Sequence, residues 1–175
     1  MSEVPKAMKS AATPAARDAG PGSMRGSNRR MPRISRSADV PFPAPDMFSL
    51  VADIERYPRF LPWCRSATVH ARTPTVVTAS LEVARGPLRK SLKTRNRMME
   101  PDRIDIELID GPFSRFDGHW SFDETVARCC TVGFEIQFEI SNRMLARVLS
   151  PLFEDIARTM VDAFCRRAHQ VFGSR

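Results

Sequence analysis

Two residues of the 175-residue sequence are placed for acid–base chemistry: His119 and, two positions before it, Asp117, in 115-RFDGHW-120. Side chains two apart on a strand share a face, so the pair could meet as a carboxylate–imidazole dyad of the kind that moves protons. Nothing in the sequence joins it. There is no nucleophile motif and no glycine-rich loop to cradle phosphate. A hydrogen-bonded surface pair is the preferred reading, and no catalytic residue is expected. The cysteines Cys64, Cys129, Cys130 and Cys165 form no CxxC, and His70, His119 and His169 are scattered, so no metal site is expected either. Adjacent Cys129 and Cys130 on a strand would point to opposite faces, and free thiols of a reducing cytoplasm are expected.

The sequence is better equipped to grip something apolar. The stretch 53-DIERYPRFLPWC-64 holds the only tyrosine, Tyr57, and one of two tryptophans, Trp63, together with Phe60 and Leu61. Pro58 and Pro62 restrict the backbone there, which lowers the entropy lost when the aromatic cluster packs. Such a cluster either closes a core or forms the mouth of an apolar cavity. A second candidate surface is basic: Arg85, Arg89, Lys90, Lys93, Arg95 and Arg97 fall in one hairpin region that could meet phosphates. No aromatic side chains are interleaved with these charges and no RNA-binding motif is present, so a solvated face is the plainer reading.

The elements that must position these residues follow from periodicity and breakers. Residues 1–30 combine Ala, Ser, Pro, Gly and Arg with no aromatic residue and read as a disordered basic tail, carrying +4 of the formal net charge of +7. A folded domain is expected over 31–175. Residues 32–40 read as a strand, and 44–53 as a short helix announced by Pro43 and Pro45. One helical turn is expected around Glu55–Arg59. Period-two patterns then mark strands over 65–73, 76–85, 88–98, 103–109, 115–122 and 129–140, joined by short links such as 86-GP-87. In 131-TVGFEIQFEI-140, Val132, Phe134, Ile136, Phe138 and Ile140 alternate with polar residues and glycine. The chain closes on a helix with Leu145, Leu149, Leu152, Phe153, Ile156, Met160, Val161 and Phe164 on one face. Pro151 should start or kink it. No apolar run is long enough to span a membrane. The expected fold is α+β: a curved antiparallel sheet wrapped around a long C-terminal helix, with an elongated apolar cavity between them.

Residues 31-MPRISRSADVPFPAPDMFSLVADIERYPRFLPWC-64, with 85-RGPLRKSLKTRN-96, 110-DGPFSRFDGHWSF-122 and 159-TMVDAFCRRA-168, resemble the coenzyme Q-binding / ribosome-association toxin RatA family of the START-like (polyketide cyclase/dehydrase-like) superfamily. The likeness spans residues 31–172. It implies a START-like helix-grip fold and two functional descriptions: a ubiquinone-binding chaperone that supports respiration, and a toxin that engages the large ribosomal subunit and blocks subunit association. The first is the main expectation, with ubiquinone or a related prenylquinone as bound ligand and no other cofactor. Candidate contacts are Tyr57, Phe60, Leu61 and Trp63 at the mouth, and Phe113, Phe116, Trp120 and Phe122 on the sheet. Met144, Leu145, Val148, Leu149 and Phe153 are the candidates on the helix, and Arg95 the candidate for the head group. The expected setting is a bacterial cytoplasm with peripheral contact at the inner membrane; DNA is not an expected partner.

Overall fold

The computed structural model describes residues 33–173; the expected tail, residues 1–30, lies outside them, as do Met31, Pro32 and the last two residues. The first strand, β1, covers Arg33–Val40, and α1 covers Ala44–Ala52. Pro45 falls in the first turn of α1, where a missing N–H costs nothing, and Met47, Phe48 and Val51 form its buried face. A 3₁₀ turn, Ile54–Arg59, then leads into β2 (Cys64–Arg72). Five further strands follow: β3 (Val76–Arg85), β4 (Leu88–Met99), β5 (Arg103–Asp110), β6 (Phe113–Glu124) and β7 (Cys130–Ile140). The long helix α2, Arg143–Phe172, ends the described chain.

All seven strands form one antiparallel sheet in the order β1-β7-β6-β5-β4-β3-β2. Strands β2 to β7 are a simple meander, as the alternation predicts, and β1 returns to pair with β7. The two-residue link between β3 and β4 is possible because Gly86 adopts φ +59°, which a side chain would oppose. Breaks in pairing register at Cys64/Ser66 and Val69/Ala71 on β2, Lys93/Thr94 on β4 and Phe113/Arg115 on β6 add local twist, which helps the sheet to curl.

Helix α2 begins eight residues before Pro151. The Asn142 side chain caps it by accepting from the amides of Met144 (2.8 Å) and Leu145 (3.4 Å). Pro151 is accommodated inside the helix because it lies on the exposed side, where the Arg147 carbonyl left without its amide partner can be hydrated. Of the two expectations for Pro151, that it starts the helix or kinks it, the first is thereby corrected. From Leu149 onward the buried stripe of Leu152, Phe153, Ile156, Val161 and Phe164 packs on the concave face. It lies chiefly over β7 and β1 and stands farther from β3–β6, which leaves space between the helix and that part of the sheet.

Candidate functional site

The uncovered part of the concave face is where the cavity forms. Its volume is about 90 Å³. One water takes up ~10–15 Å³ of such a cavity, so a ring or a short chain segment fits. Strands β3 to β7 supply the floor. The roof is Phe153, Ile156 and Met160 of α2, with Val51 of α1, and Ile54, Tyr57 and Trp63 close one side. No Asp, Glu, Lys, Arg or His lines it.

Aromatic packing sets the walls. Phe164, fully buried on α2, meets Tyr57 (5.3 Å between ring centroids), Phe60 (5.1 Å) and Trp120 (5.0 Å). Trp120 also packs on Phe134 at 4.7 Å. Tyr57 is buried and its hydroxyl donates to the Val51 carbonyl at 2.5 Å, tying the 3₁₀ turn to the end of α1. Burial foremost, and then the nearby Cys64 and Asp53, push this phenol far above its ordinary range, so it stays protonated.

Five of the expected contacts line the cavity: Tyr57, Trp63, Phe116, Trp120 and Phe153. Phe60, Leu61, Phe113, Phe122 and Leu149 do not; they serve the core. Phe113 packs on Phe153 (4.7 Å) and Phe138 (5.6 Å), Phe122 on Phe48 (5.7 Å), and Leu61 and Leu149 are buried away from the lining. Phe60 leans on Phe164 and carries the Arg167 guanidinium 5.5 Å above its ring. Met144, Leu145 and Val148 are corrected outright: Met144 is 81% and Val148 57% exposed, because the first two turns of α2 project beyond the sheet. Arg95 is corrected by strand parity. It points to the opposite, convex face and lies 3.9 Å from Glu107. Its neighbours Thr94 and Asn96 face the cavity instead and are buried, and they add a hydroxyl and a carboxamide to a wall whose other polar groups are the Tyr57 hydroxyl and the indole N–H groups of Trp63 and Trp120. The signal was present in 92-LKTRNRM-98, where Leu92, Thr94, Asn96 and Met98 alternate with cations.

The other chemistry disperses. Asp117 and His119 share a face as expected, but it is the convex one, opposite Gln137 and Glu135 of β7. None of the four cysteines is disulfide-bonded, and no cluster of metal-ligating side chains occurs among the described residues. Burial pushes the Cys64 thiol up to about 11, with Glu82 adding to the shift, which leaves it a weak nucleophile at neutral pH. The basic hairpin is partly neutralised: Arg97 pairs with Glu107 (3.1 Å), Arg89 approaches Glu82 (4.0 Å), and Arg85 reaches Asp155 of α2 (3.2 Å).

A curved sheet closed on a long helix around an apolar cavity defines a helix-grip protein of the START-like class. The family described as polyketide cyclase / dehydrase and lipid transport matches residues 40–165, and the chain belongs to it, within the coenzyme Q-binding / RatA group. The chain is 39% identical over 140 residues to the ribosome association toxin RatA of Pseudomonas aeruginosa, covering 80% of this chain and 97% of that one. It is 26% identical over 143 residues to the mitochondrial coenzyme Q-binding protein COQ10 homolog B of Xenopus laevis, covering 79% and 59%. The crystal structure of TTHA0849 from Thermus thermophilus superimposes with a TM-score of 0.71 at 16% identity, covering 81% of this chain and 99% of that one, a likeness of fold. No helix among the described residues is long and apolar enough to cross a membrane.

Proposed function

We propose that the protein is a non-catalytic binder of an elongated, uncharged lipid, with a prenylquinone of the ubiquinone type as the best match. One observation carries this reading: an apolar cavity, walled on five strands and roofed by α2, without a charged side chain in its lining. Each buried CH₂ contributes about 0.8 kcal/mol, so a single five-carbon isoprene unit supplies up to ~4 kcal/mol. The volume accepts a head group or a short chain segment, and the rest of a long prenyl tail lies outside it or requires the roof to move. The name of the coenzyme Q-binding relative supports the same ligand class. The absence of a charged group from the lining supports binding over general acid–base catalysis.

Uptake from a membrane surface by a cytoplasmic carrier fits the same reading. Exposed Met144 and Val148, next to Arg143 and Arg147 at the start of α2, supply apolar and cationic groups for peripheral contact. The test is lipid extraction and native mass spectrometry of protein purified from its own host. A prenylquinone or other neutral lipid in stoichiometric amount is the expected result; protein that is free of lipid and does not take up quinone sinks the reading.

A second reading, contact with the large ribosomal subunit, is favoured by one specific observation: the RatA relative is matched over 97% of its length and at higher identity than the quinone-binding one. The salt bridges that occupy Arg89, Arg95 and Arg97 reduce the charge their strand offers to RNA. Overexpression followed by sucrose-gradient profiles decides it, since a ribosome-directed protein lowers the 70S fraction and a lipid carrier leaves it unchanged.

A further inference from the structure

In a wall otherwise built from aliphatic and aromatic side chains, Thr94 and Asn96 stand out. β3 sets Ala79 opposite Thr94 and Val77 opposite Asn96, and β5 sets Leu108 and Ile106 on the other side. The two residues are 4% and 6% exposed, yet among the described residues neither side chain has a hydrogen-bond partner. Among the described residues no side-chain nitrogen or oxygen is both sealed off and unpartnered, so these groups open on the cavity. Of the other polar groups, the Tyr57 hydroxyl is already committed to Val51, and the indoles of Trp63 and Trp120 can donate but not accept. An unpaired hydroxyl and carboxamide in apolar surroundings are unfavourable unless something in the cavity completes their hydrogen bonds.

We propose that Thr94 and Asn96 are the polar recognition point of the cavity, holding the carbonyl or hydroxyl groups of an uncharged lipid head while the hydrocarbon walls hold its chain. This deepens the lipid-binding reading and rests on it. Both side chains donate and accept, so the pair serves a ring carbonyl and its reduced hydroxyl form alike. Two residues apart on one strand, they stand roughly 7 Å from each other on a single face, which suits two oxygens of one ring or one oxygen held between them. A carboxylate or phosphate head would lose its water with no counter-charge in the wall. The nearest cation on this face, Lys90, lies two residues beyond Leu92 on β4, opposite Val83 and outside the lining.

Calorimetric titration of the full chain with three probes tests this: a short-chain ubiquinone, a prenylbenzene of equal chain length without oxygens, and decanoic acid. Replacing Thr94→Val and Asn96→Leu together should weaken the quinone by about tenfold for each hydrogen bond lost. Prenylbenzene affinity should stay within about twofold. Thr94→Ser, which keeps the hydroxyl, should retain quinone binding. If the double variant proves unfolded in urea titrations, Thr94→Val alone carries the same comparison. Equal losses for both ring compounds, or an unchanged quinone affinity, overturn the assignment and leave lipid binding intact. Decanoic acid binding more tightly than the quinone and losing affinity on Lys90→Met also overturns it. Wild-type protein that takes up neither ring compound removes both readings together.

Discussion

At the scale of single residues, one hydrogen bond and one ring hold the cavity's side wall. The Tyr57 hydroxyl reaches back six residues to Val51, and Phe164 is the ring on which Tyr57, Phe60 and Trp120 converge. Tyr57→Phe keeps the ring and strips the donor, leaving the carbonyl of a buried residue short of a partner. A loss of about 1–2 kcal/mol in urea unfolding is expected. Phe164→Ala removes the shared ring and should cost about 3–5 kcal/mol. A smaller cost than for Tyr57→Phe would show that the cluster is loosely packed. DIERYPRFLPWC thus splits by residue: Tyr57 and Trp63 line the cavity, while Leu61 is buried and Phe60 half-buried beside it.

At the scale of elements, α2 does two jobs with different parts of its length. Its C-terminal portion from Leu149 carries the buried stripe, while its first turns stand clear of the sheet and rely on the Asn142 cap. Asn142→Ala should lower stability by about 1 kcal/mol. Pro151→Ala restores an amide donor on the exposed side and should raise stability by about 1–3 kcal/mol; a fall on thermal melting would mean that the proline shapes the helix path. If the projecting turns meet lipid, Met144→Ser with Val148→Ser should reduce sedimentation with anionic vesicles several-fold and leave the urea midpoint unchanged, since both side chains are already exposed.

At the scale of the whole molecule, folding encloses two thiols that water would otherwise ionise more easily. Cys64 and Cys130 are both pushed up to about 11 from an ordinary value near 9.0, burial being the main cause for each. The folded state therefore holds these protons more tightly than the unfolded chain. Their contribution is complete below about pH 9 and is lost as pH rises toward about 11. Urea midpoints measured across that window should fall, and Cys64→Ala should flatten the slope. An equally steep slope in that variant would assign the effect to other groups.

Much of this architecture was written in local patterns. Alternation located six meander strands to within a residue or two, because burial of one face imposes a period that ignores distant context. The resemblance carried by YPRFLPWC and DGPF named the fold and family. The sequence alone also showed no CxxC and only three scattered histidines, so it offered no motif for metal or acid–base chemistry beyond the Asp117–His119 pair. Only the tertiary structure decided which aromatic side chains border empty space and which fill the core, because that depends on where α2 leaves the concave face uncovered. It also put Arg95 on the convex face and Thr94 and Asn96 on the cavity wall. One step along β4 turns a side chain from the convex face into the cavity, and which face is concave is set by the curl of the whole sheet and the helix seated in it.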